Sequence, residues 1–179
     1  MKALVETERL VLRRPREDDA DAFAEYLADP EVMRFLGGET VPRETVPSVV
    51  ARWLTAWEAD GFGKLVVEAR DTATVLGRVG INIFDTRGWR HSTRSEAGDH
   101  AQPELGWTFI RRHWGHGYAT EAALAVRAWA RRELGIGRLI SLISADNARS
   151  QRVAERLGAV PGDTVSLADG GPHVAWVHP

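Results

Sequence analysis

The residues most able to do chemistry lie between Glu104 and Glu121, where an alternating, largely apolar run leads through a glycine turn into a helix. Glycine has no Cβ atom, so Gly115 and Gly117 would let a ligand come close to the backbone. The first amides of a helix have no partner within it, and the macrodipole adds partial positive charge there. The pattern predicts an anion site, most naturally for a phosphate or diphosphate.

Two common phosphate-binding motifs do not fit this turn. A P-loop is excluded because no Gly-Lys-Ser/Thr follows, and the dinucleotide fingerprint requires Gly-x-Gly-x-x-Gly with a later acidic residue. A glycine turn between a strand and a helix can also be a simple connection, so the spacing alone leaves both interpretations open.

The order Arg112-x-x-Gly115-x-Gly117, between a strand and a helix, resembles the acyl-CoA diphosphate loop of the GNAT superfamily of N-acetyltransferases. Residues 114–122, Trp-Gly-His-Gly-Tyr-Ala-Thr-Glu-Ala, are similar to the branch that acetylates the N-termini of ribosomal proteins. The resemblance covers nearly the whole chain and implies acetyl-CoA as the cofactor. It implies cofactor contacts at Phe109, Ile110, Arg112, Gly115, His116, Gly117, Tyr118, Ala119, Asn147 and Ser150. For Arg112, a solvated surface charge is the other interpretation.

A second family motif matches at Asn147-Ala-Arg-Ser150, where a helix is predicted to begin. The resemblance implies that Asn147 binds the pantetheine arm and that Ser150 reaches the cofactor. Asn147 also suits a helix cap, and the two roles are compatible. Many members have a tyrosine where this chain has Ala154, so Ser150, a water or no group at all would protonate the leaving thiolate.

Glu104, at the predicted start of the central strand, is the candidate proton acceptor. An alkylammonium with a pKa of about 10 is protonated at neutral pH and cannot attack a thioester. A carboxylate, directly or through a water, would remove that proton. Related GNAT members have a glutamate here, whereas the alternative is an exposed charge at a strand end. His113 and His116 flank the loop and are expected to donate hydrogen bonds rather than act as bases.

The elements around these residues predict a mixed α/β (α+β) fold. Strands are predicted over 7–14, 63–70, 75–84, 104–110 and 138–144. Two short closing strands are predicted from 159–160 with 165–167 and from 174–177, joined by a turn over 169–172. One short helix is predicted to end near Asp29, and three more are predicted over 46–59, 118–134 and 147–157. Trp53 and Trp57 are predicted to lie in the core. The polar stretch 85–102 is either functional or a solvated excursion.

This order corresponds to a mostly antiparallel sheet of about seven strands with about four helices. Only the fourth and fifth strands are joined by a helical crossover and can run parallel. The resemblance implies that these two strands splay apart and that the pantetheine arm pairs with freed backbone groups near Phe109 and Ile110.

Composition limits the function classes. The 179 residues fit a single domain over 1–179, with 44% hydrophobic and 27% charged residues and a net charge of −2. This balance gives no reason to expect nucleic acid as a partner. The absence of cysteine excludes disulfides and thiolate nucleophiles, and no metal site is predicted. Without a signal peptide or an apolar run of membrane-spanning length, we expect a cytoplasmic protein without a membrane partner.

The resulting hypothesis is an acetyl-CoA-dependent N-acetyltransferase that works by direct attack in a ternary complex, with Glu104 and Ser150 as catalytic residues. The acceptor amine is a protein N-terminus or a small molecule, and a homodimer is left open. One rival is a non-catalytic acyl-CoA-binding sensor or scaffold, which the missing tyrosine favours. A nucleotide-phosphate enzyme is a weaker rival because the chain lacks a recognisable magnesium-binding constellation.

Overall fold

The computed structural model describes residues 3–168 and 171–179, and these form one sheet and six α-helices. The strands are β1 Val5–Glu6, β2 Leu10–Arg13, β3 Lys64–Ala69, β4 Val75–Asp85, β5 Arg90–Ser92, β6 Ala101–Phe109, β7 Ile140–Ser144, β8 Val160–Leu167 and β9 Gly171–Val177. The helices are α1 Ala20–Leu27, α2 Pro30–Met33, α3 Val46–Asp60, α4 Arg94–Ala97, α5 Tyr118–Leu134 and α6 Ala148–Arg156. Within the described residues, no helix is both long and apolar enough to cross a membrane.

The sheet runs in the order β1-β2-β3-β4-β6-β7-β9-β8, and β5 pairs with β4 beside this path. All neighbours are antiparallel except β6 and β7, which are parallel. The mixed, mostly antiparallel fold with one parallel pair is therefore confirmed. The sheet has nine strands rather than about seven because β1 and β5 are two and three residues long, too short to leave an alternating pattern. The one-turn helices α2 and α4 likewise raise the helix number above four.

Helix α5 covers one face of the sheet and has the bounds expected from the sequence. Gly117 and Gly135, at its two ends, have φ of 80° and 65°, the left-handed region that favours glycine. Its buried face carries small residues, and Ala122 and Ala123 are fully buried. Their small side chains allow close packing against a cluster that includes Leu105 of β6.

Helices α1 and α3 cover the opposite face around a second apolar cluster. Phe23 contacts both Tyr26 and Trp53 edge to face, with ring centroids 5.5 and 4.9 Å apart. Trp53 and Trp57 are 7% and 6% exposed, which confirms their predicted place in the core. Val66 of β3 belongs to the same cluster, so this cluster joins the two helices to the sheet.

Three local predictions are corrected by the strand pairing. Glu104 does not begin the central strand, because pairing with β4 continues back to Ala101. The stretch 85–102 is not a single loop, since it contains β5 and α4, and Thr93 caps α4 through a capping box. Strand β8 spans Val160–Leu167, so it includes the exposed residues between the predicted segments 159–160 and 165–167, because it pairs with β9. The turn predicted over 169–172 falls partly outside the described residues.

Candidate active site

The connection between β6 and α5 forms a tight, backbone-lined loop, and we call residues 111–119 the anion loop. A turn of 3-10 helix over Arg111–His113 is followed by Gly115, with φ of 83°, and Gly117. A Cβ atom on Gly115 would meet nothing within 4 Å, so the space above this residue is open. Glycine is required here by the backbone conformation rather than by crowding.

The amides of residues 115–120 donate no hydrogen bond to any group in the described parts of the chain. The first amide of this region with a partner is that of Glu121, which donates to the carbonyl of Gly117 at 3.1 Å. Unpaired amides at a helix N-terminus, together with the macrodipole, favour an anion. The loop therefore offers an anion site.

Side chains around the loop add positive charge, although in this structure some of it is already paired. Arg112 is half exposed and forms an ion pair with Glu25. Arg9, which the sequence did not single out, donates to the carbonyl of His116 at 3.0 Å and is held by Glu121, 2.7 Å from its Nε. Arg9 lies more than one hundred residues away in the chain, so no local pattern pointed to it. The rings of His116 and Tyr118 are stacked, with centroids 5.6 Å apart.

The histidine before the loop tryptophan has a different environment from His116. His113 is partly buried, and its Nε2 is buried without a hydrogen-bond partner in the described chain. Burial, followed by the nearby charge of Arg112, lowers the pKa of His113. His116 instead points Nδ1 at the carbonyl of Trp114, 2.9 Å away.

The second motif lies beside the anion loop. Asn147 caps α6, and its side chain accepts a hydrogen bond from the amide of Ser150 at 3.1 Å. The guanidinium of Arg149 lies over the ring of Trp114, with 4.5 Å from Cζ to the centroid. This contact joins the start of α6 to the loop before α5, so the two motifs meet at the carboxyl ends of β6 and β7.

Strands β6 and β7 separate immediately after they meet. Their ladder contains one register pair, Glu104 with Ile140. Beyond it the hydroxyl of Ser141 donates to the carbonyl of Leu105 at 2.6 Å, where a strand amide would otherwise bind. The Nε2 of His178 lies 2.9 Å from the same hydroxyl, and burial lowers the pKa of His178 to about 4. The predicted splay of the parallel pair is present.

The end of β6 was expected to offer free backbone groups at Phe109 and Ile110. The carbonyl of Phe109 accepts a hydrogen bond from the indole of Trp114 at 2.7 Å. The amide of Ile110 donates to the carbonyl of Leu76 at 2.9 Å, so it is already used on the β4 side of the sheet.

Glu104 is buried rather than exposed, at 7% of its full accessibility. Its carboxylate accepts a hydrogen bond from the side chain of Asn82 at 2.6 Å. It also lies over the strand beyond it, because a Cβ atom on Gly106 would be 3.1 Å from its Oε1. Burial raises the pKa of Glu104, opposed by the hydrogen bond from Asn82 and by the charges of Lys64 and Arg78. A carboxylate of raised pKa on a sheet face suits proton transfer near neutral pH.

The register of β3, β4 and β6 places further polar residues on the same face as Glu104. Asn82 is paired with Glu104, Arg78 with Thr108, and Lys64 with Gly80, which is itself paired with Gly106. We call Lys64, Arg78, Asn82, Glu104 and Thr108 the polar floor. It lies on the face that carries α1 and α3, opposite α5. Sequence reasoning found only Glu104 of this group, although polar residues at alternate positions of apolar strands were a usable signal.

The position of the missing tyrosine is internal. Ala154 of α6 is fully buried and packs with Ile143, Ala159 and Trp176. Of the two tyrosines in the sequence, Tyr26 is buried against Arg78 and Tyr118 stacks on His116.

Comparison with known proteins agrees with this geometry. Residues 9–160 match the family model described as "Acetyltransferase (GNAT) domain". The chain is 26% identical to an uncharacterized N-acetyltransferase, YoaA, of Bacillus subtilis over 88% of this chain and 83% of that protein. It is 32% identical to the uncharacterized protein YkkB of the same organism, over 88% and 85%. An acetyltransferase structure from Agrobacterium tumefaciens is 28% identical, with a TM-score of 0.79 over 100% of this chain and 95% of that one.

Proposed function

Because the chain belongs to the GNAT family of acetyltransferases, whose cosubstrate is acetyl-CoA, we propose that it acetylates a primary amine by direct attack within a ternary complex. Acetyl-CoA supplies an acetyl group activated as a thioester. The sequence contains no cysteine, so a cysteinyl acyl-enzyme cannot form. Direct transfer requires the chain to hold the diphosphate, to accept a proton from the amine and to stabilise the departing thiolate.

The anion loop is the proposed diphosphate site. Its support is the run of amides over 115–120 without partners in the described chain, at the positive end of α5. Arg112 is the proposed ionic contact, for which it would exchange Glu25 for a phosphate. Gly115 and Gly117 keep the approach open, and His116, Tyr118 and Ala119 complete the lining.

Glu104 is the proposed proton acceptor, and its placement is the observation that carries the proposed function. Its carboxylate is buried on the polar floor, folded over Gly106 where β6 and β7 part. Burial raises the pKa of Glu104, which brings it closer to the pKa of the acceptor ammonium. The hydrogen bond from Asn82 fixes the orientation of the carboxylate. The ammonium group of the acceptor could lose its proton to this carboxylate directly or through one water, and the neutral amine would then attack the thioester.

Asn147 and Ser150 are proposed to contact the pantetheine arm. Contact between Arg149 and Trp114 keeps the start of α6 beside the anion loop. Ser150 is the proposed proton donor to the thiolate, since Ala154 is buried and supplies no hydroxyl. A thiol has a pKa of about 8.5, so the thiolate is a tolerable leaving group even with weak assistance. Phe109 and Ile110 are proposed to flank the arm at the end of β6.

The acceptor is proposed to be either a protein N-terminus or a small-molecule amine. The similarity of residues 114–122 to the ribosomal-protein branch supports a protein N-terminus. That segment belongs to the anion loop and α5, which hold the cofactor, so it bears only indirectly on the acceptor.

The test is the variant Glu104→Gln, assayed with acetyl-CoA and a panel of amines. We expect kcat to fall by about 100-fold or more, the usual contribution of a general base, while calorimetry gives an unchanged affinity for CoA. Glu133→Gln is the matched control, because Glu133 is exposed on α5 and paired with Arg132.

Each other result has a distinct meaning. Full activity in Glu104→Gln would remove this carboxylate from the mechanism. Tight CoA binding by the unaltered protein without turnover of any amine would favour a sensor. A lack of any affinity for CoA would end the proposed role of the anion loop.

A further inference from the structure

We propose that the acceptor is an amino acid, whose carboxylate is bound by Lys64 and Arg78 while its amine faces Glu104. This inference rests on the proposed function, because it takes Glu104 as the group that meets the reacting amine. It concerns the polar floor and does not involve the anion loop.

The sheet register brings the three charged residues to one surface. Lys64 is paired with Gly80, and Arg78 is two residues before Gly80 on the neighbouring strand. Glu104 lies on the next strand, two residues before Gly106, the partner of Gly80. Neighbouring strands are about 4.8 Å apart and alternate residues on one strand about 6.8 Å apart. Long side chains from these positions can therefore reach a molecule the size of an amino acid.

Neither Lys64 nor Arg78 is held in a close ion pair, although the charge of Glu104 acts on both from a greater distance. The Nζ of Lys64 and the Cζ of Arg78 lie 5.7 and 5.5 Å from the centroid of the Trp53 ring. Arg78 also donates from Nε to the hydroxyl of Tyr26 at 3.0 Å. Neither cation forms an ion pair of 4.0 Å or less with a carboxylate in residues 3–168 and 171–179.

Arg13 shows how the same protein treats a cation that has only a structural role. Its guanidinium is 2.5 Å from a carboxylate oxygen of Asp19 and 2.6 Å from one of Glu68. A buried guanidinium needs such partners because loss of hydration is costly. Lys64 and Arg78 are half-buried next to an aromatic ring and have no equivalent partners, which is the arrangement of a site that awaits an anion.

The charges around this surface favour an anion. Lys64 and Arg78 carry two positive charges when protonated, Arg52 acts on Lys64 as a further positive charge, and Glu104 carries at most one negative charge. Positive charge is therefore in excess, and a carboxylate would balance part of it. Burial, followed by the charge of Arg78, lowers the pKa of Lys64 to about 7, although the charge of Glu104 opposes this change.

A further unused polar atom lies on the same floor. The hydroxyl of Thr108 is buried, with the residue 8% exposed, and has no hydrogen-bond partner in the described chain. Thr108 is the register partner of Arg78. A buried hydroxyl without a partner is uncommon, and an acceptor carboxylate held by Arg78 would supply one.

The test compares each common amino acid with its own carboxamide, which keeps the amine and side chain but removes the negative charge. With acetyl-CoA saturating, we expect at least one amino acid to exceed its carboxamide in kcat/KM by about tenfold or more, the usual value of hydrogen bonds to a charged group. Lys64→Met and Arg78→Met should each abolish most of this preference. Lys64→Arg keeps the charge and should retain it, which separates charge from packing against Trp53.

Arg138→Met is the control, because Arg138 is exposed and lies outside the site, and it should keep the preference intact. Equal rates for every amino acid and its carboxamide, or a preference unaffected by both methionine variants, would overturn the inference while the acetyltransferase assignment stands. If no amine were acetylated, the proposed function would fall. Calorimetry of the same pairs against the CoA-bound protein would then decide the inference by the same preference and the same variants.

Discussion

The anion loop is built from main-chain amides, whereas the polar floor is built from side chains. The loop presents main-chain amides from a continuous segment, 111–119, and is largely exposed. The floor presents side chains from β3, β4 and β6 on a sheet face covered by α1 and α3. A site made of backbone depends on conformation and tolerates changes of side chain. A site made of side chains depends on identity at each position and on the register that brings them together.

The largest effect on CoA affinity is expected from Gly115→Ala, in the loop. Alanine at φ of 83° is strained by about 1–2 kcal/mol, and the loop can relieve this strain by turning its amides away. We expect calorimetry to show CoA binding weakened by about tenfold.

Gly135→Ala is the matched control, since Gly135 at the other end of α5 has φ of 65° and equally open surroundings. It should lower stability by a similar amount and leave CoA affinity unaltered. Equal losses of affinity in both variants would show that the effect is one of general stability and not of the loop.

A smaller effect, on the melting temperature, is expected from Glu104→Gln in the polar floor. Because burial raises the pKa of Glu104 above its ordinary value of 4.5, the folded state holds this proton more tightly than the unfolded state does. The stability associated with this group is therefore complete below pH 4.5 and is lost as the pH rises through the folded pKa. Glu104→Gln should then melt about 2–4 °C higher than the unaltered protein at neutral pH, for a gain of about 1 kcal/mol.

The gap between the two melting curves should close as the pH falls to about 4.5, where both forms are neutral at this position. Thermal melts at several pH values check this. A gap that stays constant with pH would mean that the stabilisation comes from packing rather than charge.

The smallest effect is expected from Arg112→Ala. Arg112 is half exposed and pairs with Glu25, and exposed ion pairs contribute at most about 1 kcal/mol. CoA affinity should fall by no more than about fivefold, because we expect the amides to supply most of the binding free energy. Glu25→Gln is the informative companion, since it frees Arg112 and should leave CoA binding equal or slightly tighter. A loss on Arg112→Ala larger than that of Gly115→Ala would reverse the comparison.

The same difference decides how much the sequence could predict. Helix α5 was placed with its correct bounds because its glycines and alanines act locally, on neighbours within a few residues. The loop could be recognised for the same reason. Lys64 and Arg78 could not be placed beside Glu104, because that requires the register of three strands and the packing of α1 and α3 against them.

Errors at element ends have a related cause. Residues 101–103, Ala-Gln-Pro, show no apolar alternation, yet they belong to β6 because they pair with β4. The middle of strand β8 escaped the prediction for the same reason, since its residues are exposed although the strand pairs with β9. The burial of Glu104 was likewise invisible to a reading that placed it at a strand end. Local composition records side-chain burial, whereas strand pairing is a property of the backbone.

The hydroxyl of Ser141 limits how far β6 and β7 pair with each other. By donating to the carbonyl of Leu105, it occupies the acceptor through which the two strands could otherwise continue to pair. His178, which is neutral at physiological pH, contacts the same hydroxyl through its Nε2. The separation of β6 and β7 is thus fixed by the chain itself. We therefore expect association with CoA to proceed in a single kinetic phase whose rate grows linearly with coenzyme concentration.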